Sequence, residues 1–354
     1  MSDPETRLDT MQAVVLTRHG GPDALELREV PVPHPGRGEV LLRIGGAGVN
    51  NTDINTRTGW YSRSVRSATG EGYADDGGWV GSIAFPRIQG ADACGRVVAV
   101  GAGVDPTRIG ERVIVATMQQ DPTGAPFGTV TLGSEMDGAF ADYMVATASE
   151  AHAVVCDWSD AELASIPCAT STAENMLRRA GVVAGERVLV TGASGGVGTA
   201  VVQLAHARGA HVVAVASSTK AAAIVALGAD RVIDRDADLV EELGAGAIDV
   251  VVDVVAGSHW AQLLDVLRRG GRYVVSGAIA GPIVELDVRT LYLADLTLLG
   301  ATYQPPDILP AIVRSIERGD IRPLVHATYP LADIGRAQTD FLAKDFVGKL
   351  VLIP

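Results

Sequence analysis

The hydrophobic and polar positions of this chain change rhythm part-way along. From Gln12 to about Val155 the apolar residues come in short runs bounded by glycine and proline. Examples are Ala13-Val-Val-Leu, Glu39-Val-Leu-Leu-Arg-Ile, Gly95-Arg-Val-Val-Ala-Val-Gly and Arg112-Val-Ile-Val. Such runs predict strands, and with little helical spacing between them this part reads as a mostly β domain with long loops. From Asp157 onward helical patterns alternate with apolar runs: Val188-Leu-Val, His211-Val-Val-Ala-Val, Arg231-Val-Ile, Asp249-Val-Val-Val-Asp253, Tyr273-Val-Val-Ser276 and Leu296-Thr-Leu-Leu-Gly300. That alternation predicts an α/β domain, a doubly wound parallel sheet with right-handed crossovers. Ile308 to Arg318 then reads as an amphipathic helix, followed by Arg322-Pro-Leu-Val and a terminal strand, Gly348-Lys-Leu-Val-Leu-Ile. Residues 1–10 are polar and expected to be a loose tail. Two Gly-rich loops, 60–86 and 117–137, are long enough to suggest function, and the first carries Trp60, Tyr61, Tyr73, Trp79 and Phe85.

One junction carries most of the chemistry. The strand Arg187-Val-Leu-Val-Thr breaks at Gly192-Ala-Ser-Gly-Gly-Val-Gly198, which opens directly into a helix with Val201, Val202, Leu204 and Ala205 on its apolar face. Strand, glycine turn, helix, strand is the unit that seats a dinucleotide pyrophosphate on a helix N-terminus. Ala193, Ser194, Gly195, Gly196 and Val197 form the turn. Ala193 replaces the first glycine of GxGxxG, Gly195 permits approach of phosphate, and Gly198 permits close helix–strand packing.

The end of the second strand bears on which dinucleotide. A ribose-binding Asp or Glu is usual there, but this chain has Ser217, Ser218, Thr219 and Lys220. Hydroxyls and a cation suit a 2′-phosphate, and Arg235, after the next strand, is a second candidate ligand. NADP(H) is therefore expected over NAD(H). A solvated lysine at a helix start is the competing reading of Lys220, although the helix dipole disfavours a cation there. Asp253-Val-Val-Ala-Gly257 and Ser276-Gly277-Ala278 end later strands on the same edge, where the backbone of Val254 and Gly277 could meet the adenosine and carboxamide.

Composition narrows the classes. The chain has 354 residues, 47% hydrophobic, with 41 glycines, enough for two domains and an ample core. A net charge of −13 without a Lys/Arg-rich run argues against a nucleic-acid or anionic-membrane surface. Cys94, Cys156 and Cys168 are too few for a disulfide framework or a zinc ribbon. The first residues, Met-Ser-Asp-Pro-Glu-Thr-Arg, lack a signal pattern, and no apolar stretch approaches ~18 residues. A cytoplasmic protein with reduced thiols is expected.

Several motifs in order resemble one family. Gly48-Val-Asn-Asn-Thr-Asp53, Gln89-Gly-Ala-Asp92, Gly95-Arg-Val-Val-Ala-Val-Gly101, Gly110-Glu-Arg-Val113, the glycine turn, Leu227-Gly-Ala-Asp230 and Gly348-Lys-Leu-Val-Leu352 together resemble the medium-chain dehydrogenase/reductase superfamily. The likeness is to its zinc-independent NADPH:quinone oxidoreductase and zeta-crystallin branch. It implies a GroES-like mostly β catalytic domain over 1–155, completed by 306–354, and a Rossmann domain over 156–305, with the active site in the cleft. It also implies a homodimer, or a tetramer, joined edge to edge through Leu296-Thr-Leu-Leu-Gly300, because an exposed apolar edge strand is otherwise a liability.

The resemblance places Asn50 where zinc-dependent relatives have a cysteine, and Gly90-Ala91-Asp92 where they have Gly-His-Glu. Only Cys168 matches a third ligand, and packing explains it as well. No metal is expected. His152 and His259 read as surface or structural residues. Without a Lewis acid to lower an alcohol's pKa, hydride addition to a quinone or to the C=C of an α,β-unsaturated carbonyl is the expected chemistry. A zinc-free alcohol or aldehyde dehydrogenase, or a low-turnover NADPH-binding structural or regulatory protein, are the alternatives. Asn50 could donate its amide to the developing oxyanion, orient the nicotinamide ribose, or simply form a turn. Tyr61 resembles the family's donor tyrosine, and a loop anchor is the other reading. Thr172 resembles the threonine beside the nicotinamide, and Lys349 joins the expected cofactor residues. Asp53 and Arg57, spaced i,i+4, read as a structural pair.

Overall fold

The computed structural model describes residues 9–77 and 83–354. Most of the expected tail, and Trp79 in the long loop, lie outside those residues. The first domain is β-rich, as the short apolar runs predict. Its main sheet has seven strands. Strand β1 (Glu39–Gly48) is the hub and is followed at once by helix α1 (Asn51–Thr58). Along β1 lie β2 (Cys94–Val100) and the strand Tyr143–Thr147, both antiparallel. Alternating buried positions on these strands, Val40, Leu42 and Ile44 among them, close over Phe140, Leu132 and Ile54 in one core. Gly48 ends β1 because nothing larger fits: a Cβ there would meet Asp92 Oδ2 at 2.5 Å and the Ala164 carbonyl at 2.6 Å.

The second domain opens with helix α2 (Pro167–Ala180). It continues through β3 (Arg187–Val190), α3 (Gly196–Ala207), β4 (His211–Ala216), β5 (Arg231–Asp234), β6 (Ile248–Asp253), β7 (Leu267–Val275) and β8 (Thr297–Gly300). The sheet order is β5-β4-β3-β6-β7-β8, and every pair is parallel. The strands read as nearly unbroken Val/Leu/Ile runs because helices cover both faces. One face packs on α2, α3 and α4 (Ile308–Arg318), the other on Trp260, Leu263 and Leu264. The reversal of strand order at β3/β6 makes the crevice where such sheets bind ligands.

After α4 the chain returns to the first domain. Strand β9 (Val325–Pro330), helix α5 (Ile334–Ala343) and strand β10 (Lys349–Ile353) complete its sheet, with β10 pairing both β9 and the end of β1. The helix at 308–318 packs in the core it shares with α2 and α3, and the strands of the return begin at Val325. The sequence pattern singled out α4 but not α5. Gly348 in the final turn, at φ 93°, brings β10 under the glycine turn: its amide donates to the Ser194 carbonyl at 3.0 Å.

Candidate active site

The glycine turn has the shape its spacing calls for. Gly192 takes φ 57°, open to glycine and strained for a β-branched residue. A Cβ on Gly198 would lie 2.2 Å from the Gly192 carbonyl oxygen, so helix α3 can approach β3 only with glycine there. A Cβ on Gly195 would meet nothing closer than 3.6 Å and would instead fill the space in front of the turn. Gly195 caps α3 without any side-chain hydrogen bond, which leaves the first-turn amides around Gly196 and Val197 facing that space. Ala193 is fully buried in the core and needs no open face, which accounts for alanine at the first glycine position. These residues fit a dinucleotide pyrophosphate.

At the end of β4, Ser217 and Thr219 share a hydrogen bond of 3.0 Å, and Lys220 reaches the carbonyl of Lys344 in the first domain. Arg235 is solvent-exposed beside them, 3.8 Å from Asp236. The register of β4 and β5 also brings a carboxylate here: Asp234 pairs with Ala216 and accepts the amides of Ser218 at 2.9 Å and Asp236 at 3.1 Å. Those two bonds hold its carboxyl below the ordinary range. The tip of β4 itself carries no acid, and this one comes from the neighbouring strand.

Across the cleft, the two remaining motifs converge in a buried network. Lys349, at the start of β10, donates to the Asn50 side-chain carbonyl and to Asp92 Oδ2, the latter at 2.9 Å. Asn50 Nδ2 donates to the same Asp92 oxygen at 2.7 Å and to the Gly48 carbonyl at 3.2 Å. Asp92 Oδ1 accepts the Cys168 amide at 2.6 Å, which ties the first turn of α2 to the cluster. The Lys349 stem passes over the glycine turn, where a Cβ on Gly196 would come within 2.7 Å of its Cδ. Asn50 thus enters the site with its amide hydrogens already engaged. Below it, Asp53 accepts the amides of Asn50 at 2.7 Å and Ala91 at 3.1 Å. Burial outweighs these bonds and raises its carboxyl to about 7.

The expected Asp53–Arg57 pair is not formed. Arg57 is buried but turns to Gln338 Oε1, at 2.8 Å, and to the Gly20 carbonyl, at 2.6 Å. Backbone donors bind the carboxylate before the guanidinium can. Tyr61 is half-buried against Trp60 and donates to Thr52 Oγ1 at 3.1 Å. Burial pushes its phenol well above the ordinary range, so it stays protonated. Thr172 donates to the Cys168 carbonyl at 2.8 Å, a backbone bond within α2.

Burial also raises the Cys168 thiol. His152 lies in the strand Ala151–Ala153 opposite Ile114, and His259 is exposed. Among the described residues no group of three His, Cys, Asp or Glu side chains is placed to hold a metal ion. Asp253, which the sequence marks only as a strand end, shapes the cofactor edge. It accepts Tyr273 Oη at 2.6 Å and the amides of Val255 and Ala256, while the Val254 amide donates to Thr191. Gly277 lies against the Val254 carbonyl, 3.1 Å from a Cβ built on it.

The segment 60–77 bridges the domains: the Thr69 amide donates to the Ile279 carbonyl at 3.1 Å and its hydroxyl accepts from Asn51 at 3.2 Å.

Known proteins share this two-domain fold. Residues 36–156 match the alcohol dehydrogenase GroES-like domain, and residues 196–318 the zinc-binding dehydrogenase domain. An acryloyl-coenzyme A reductase of Metallosphaera sedula is 31% identical over 97% of this chain and 99% of its own length. The chain is a medium-chain dehydrogenase/reductase. It sits in the superfamily's quinone-oxidoreductase-like branch: a quinone oxidoreductase of Lama guanicoe is 28% identical over 97% of each chain. A Sinorhizobium meliloti protein provisionally assigned as an alcohol dehydrogenase is 48% identical, with TM-score 0.90 over 99% of this chain and 98% of its own. A 2-octenoyl-CoA carboxylase reductase, solved with NADP and 2-octenoyl-CoA, is 26% identical, with TM-score 0.82 over 98% of this chain and 88% of its own. This medium-chain dehydrogenase/reductase is an oxidoreductase, and none of its described helices is long and apolar enough to cross a membrane.

Proposed function

We propose that this oxidoreductase passes hydride from NADPH to the C=C of an α,β-unsaturated carbonyl, such as an enoyl thioester, or to a quinone, without zinc. The observation that carries the reading is the Lys349–Asn50–Asp92 network facing the glycine turn. The side chains at 50 and 92 are hydrogen-bonded to an ammonium, so they serve as an internal ion-pair scaffold rather than an open ligand set. NADPH supplies the hydride when bound. The chain's own task is then to hold the acceptor's carbonyl or quinone oxygen and deliver one proton as negative charge develops there. Tyr61, kept protonated by burial, is the donor we assign: its hydroxyl turns from Thr52 to the acceptor oxygen, and Thr52 then donates to it. Asn50 orients Lys349 and the ribose side of the site. The names of the relatives, two acting on enoyl-CoA and one on quinones, point to the same acceptors.

The 2′-phosphate reading rests on Ser217, Lys220 and Arg235. Asp234 favours a second reading, NADH, because a carboxylate beside Ser218 suits a free ribose hydroxyl. We further propose a homodimer joined through β8. Leu298 on that edge strand is exposed, and so are Ile283, Val288, Tyr292 and Leu293 around it. With its free cysteines the enzyme suits the cytoplasm. Steady-state oxidation of NADPH and NADH with 2-cyclohexenone, crotonyl-CoA and 1,4-benzoquinone tests the function. Turnover with at least one acceptor, faster with NADPH, is expected. Oxidation of primary alcohols alone would overturn it. Tyr61→Phe should lower turnover ~100-fold with NADPH affinity retained if the hydroxyl acts in the transition state.

A further inference from the structure

The buried ammonium of Lys349 has one donor more than its network uses. A protonated lysine carries three N–H groups. One goes to the Asn50 side-chain carbonyl and one to Asp92 Oδ2, and among the described residues the third has no acceptor. The side chain is 5% exposed and Asp92 is fully buried. A buried ion pair is weak support for a fold, since apolar residues of similar volume often serve as well. Its surroundings give this pair another use. The Lys349 stem lies between the starts of two helices, neither with a side-chain cap. A Cβ built on Gly196, in the first turn of α3, would come within 2.7 Å of Lys349 Cδ and 3.2 Å of Ala169 Cβ in α2. Both helix starts add partial positive charge. The ammonium itself bonds only residues of the catalytic domain. From 167 to 177 on α2, only Cys168 and Thr172 are not fully buried, one turn apart on one face. The Cys168 thiol is the neighbour common to two donors: the Lys349 charge acts on it, and it acts on the Tyr61 phenol. The space over Cys168 is therefore bordered by an ammonium and a neutral phenol.

We propose that Lys349 is a catalytic electrophile whose third N–H binds the substrate's carbonyl oxygen beside Tyr61, the two forming an oxyanion hole in which Asn50 and Asp92 are positioning residues. This rests on the reading of C=C reduction above and adds a second donor to it. Hydride from NADPH reaches the β-carbon, leaving NADP+, and the C=C electron pair moves through the carbonyl carbon onto its oxygen. Tyr61 gives that oxygen a proton and regains one from water. The enol then exchanges its O–H for a C–H on the α-carbon, so one hydride and one proton are added in all. Lys349 keeps its three protons throughout. Its charge acts where the oxygen becomes negative, which happens in the transition state and not in the bound substrate. Before substrate arrives, Asp92 balances the ammonium, so the cleft holds no bare buried cation.

The test reads the hole with and without turnover. The proteins are wild type, Lys349→Ala, and Lys349→Met combined with Asp92→Leu, which removes both charges and leaves the net charge unchanged. For the enzyme alone the probe is 4-nitrophenol, whose absorbance separates phenol from phenolate. Wild type should favour the bound phenolate over the phenol by about 10- to 100-fold relative to water, and the double variant should not. With crotonyl-CoA the double variant should lose about 100-fold or more in kcat, while NADPH affinity, read by fluorescence, stays within about threefold. Ethylamine should restore turnover to Lys349→Ala, and tetramethylammonium, which has the charge but no N–H, should not.

Undiminished turnover in the double variant would overturn the assignment and leave Lys349 a structural link. Loss of NADPH affinity at unchanged turnover would overturn it by making Lys349 a cofactor ligand. A wild type that does not bind the phenolate, or binds it no better than the phenol, would remove the hole itself, as would a folded Lys349→Ala that ethylamine does not rescue. If Lys349→Ala does not fold, the double variant decides. Failure of the underlying reading looks different: wild type would then select the phenolate and reduce none of the acceptors.

Discussion

Replacing Lys349 by methionine removes the ammonium and keeps most of the stem's volume. Asp92 is fully buried and the Lys349 side chain is 5% exposed, so neither charge is relieved by solvent in the folded protein. After the substitution the Asp92 carboxylate keeps the Asn50 amide and the Cys168 amide but loses its counter-ion, and the Asn50 carbonyl loses its donor. Breaking one side of a buried pair costs about 3–5 kcal/mol, most of it the penalty of the stranded charge. For 354 residues unfolding together that is roughly a 4–7 °C fall in unfolding temperature. Urea unfolding by circular dichroism gives the free energy directly, and a second removal separates charge from packing. Lys349→Met with Asp92→Leu deletes both charges, and should recover most of the loss. A cost below about 1 kcal/mol for Lys349→Met would refute the view that this pair is a desolvated structural link.

Three other outcomes follow from the geometry. Gly195→Ala should fold normally but bind NADPH weakly, because its methyl fills open space before the turn, whereas Gly198→Ala should be destabilised outright by the 2.2 Å approach to the Gly192 carbonyl. Fluorescence titration and thermal melts of the two variants check this contrast. Asp53, raised from 3.8 to about 7 by burial, binds its proton more tightly folded than unfolded. Its contribution therefore becomes unfavourable as pH rises from about 4, reaching about 4 kcal/mol at pH 7 and above. Asp53→Asn should flatten the fall in stability over that window in urea titrations, even though its amide cannot accept both backbone hydrogens. Leu298→Arg, on the exposed edge strand, should shift the light-scattering mass from dimer to monomer with the fold intact.

The fold was legible because it is written in local patterns. The β-branched runs from Val188 to Val275 became five of the six parallel strands, the helix at Ile308–Arg318 has the expected bounds, and the sixth, edge strand is where its apolar run placed it. The glycine turn was equally plain, because each glycine answers to one steric demand. What the sequence could not display was long-range convergence. Lys349, Asn50 and Asp92 lie far apart in the chain and meet only when the last strand returns to the first sheet. The i,i+4 spacing of Asp53 and Arg57 misled for the same reason: two backbone amides, brought in by the turn and by Ala91, satisfied the carboxylate first. Asp234 stayed hidden because strand register, not sequence distance, puts it beside the cofactor edge. Helix α5 was passed over.

The central claim is hydride transfer from NADPH to an activated acceptor by a zinc-free site. It is tested most directly with NADPH carrying deuterium at the transferred position of C4, reacted with an enoyl thioester on chelator-treated enzyme whose metal content has been measured. The product should carry one deuterium on its β-carbon, at a rate equal to that of untreated enzyme containing well under one zinc per chain. Unlabelled product, or a rate that collapses on chelation and returns with zinc, would contradict the account.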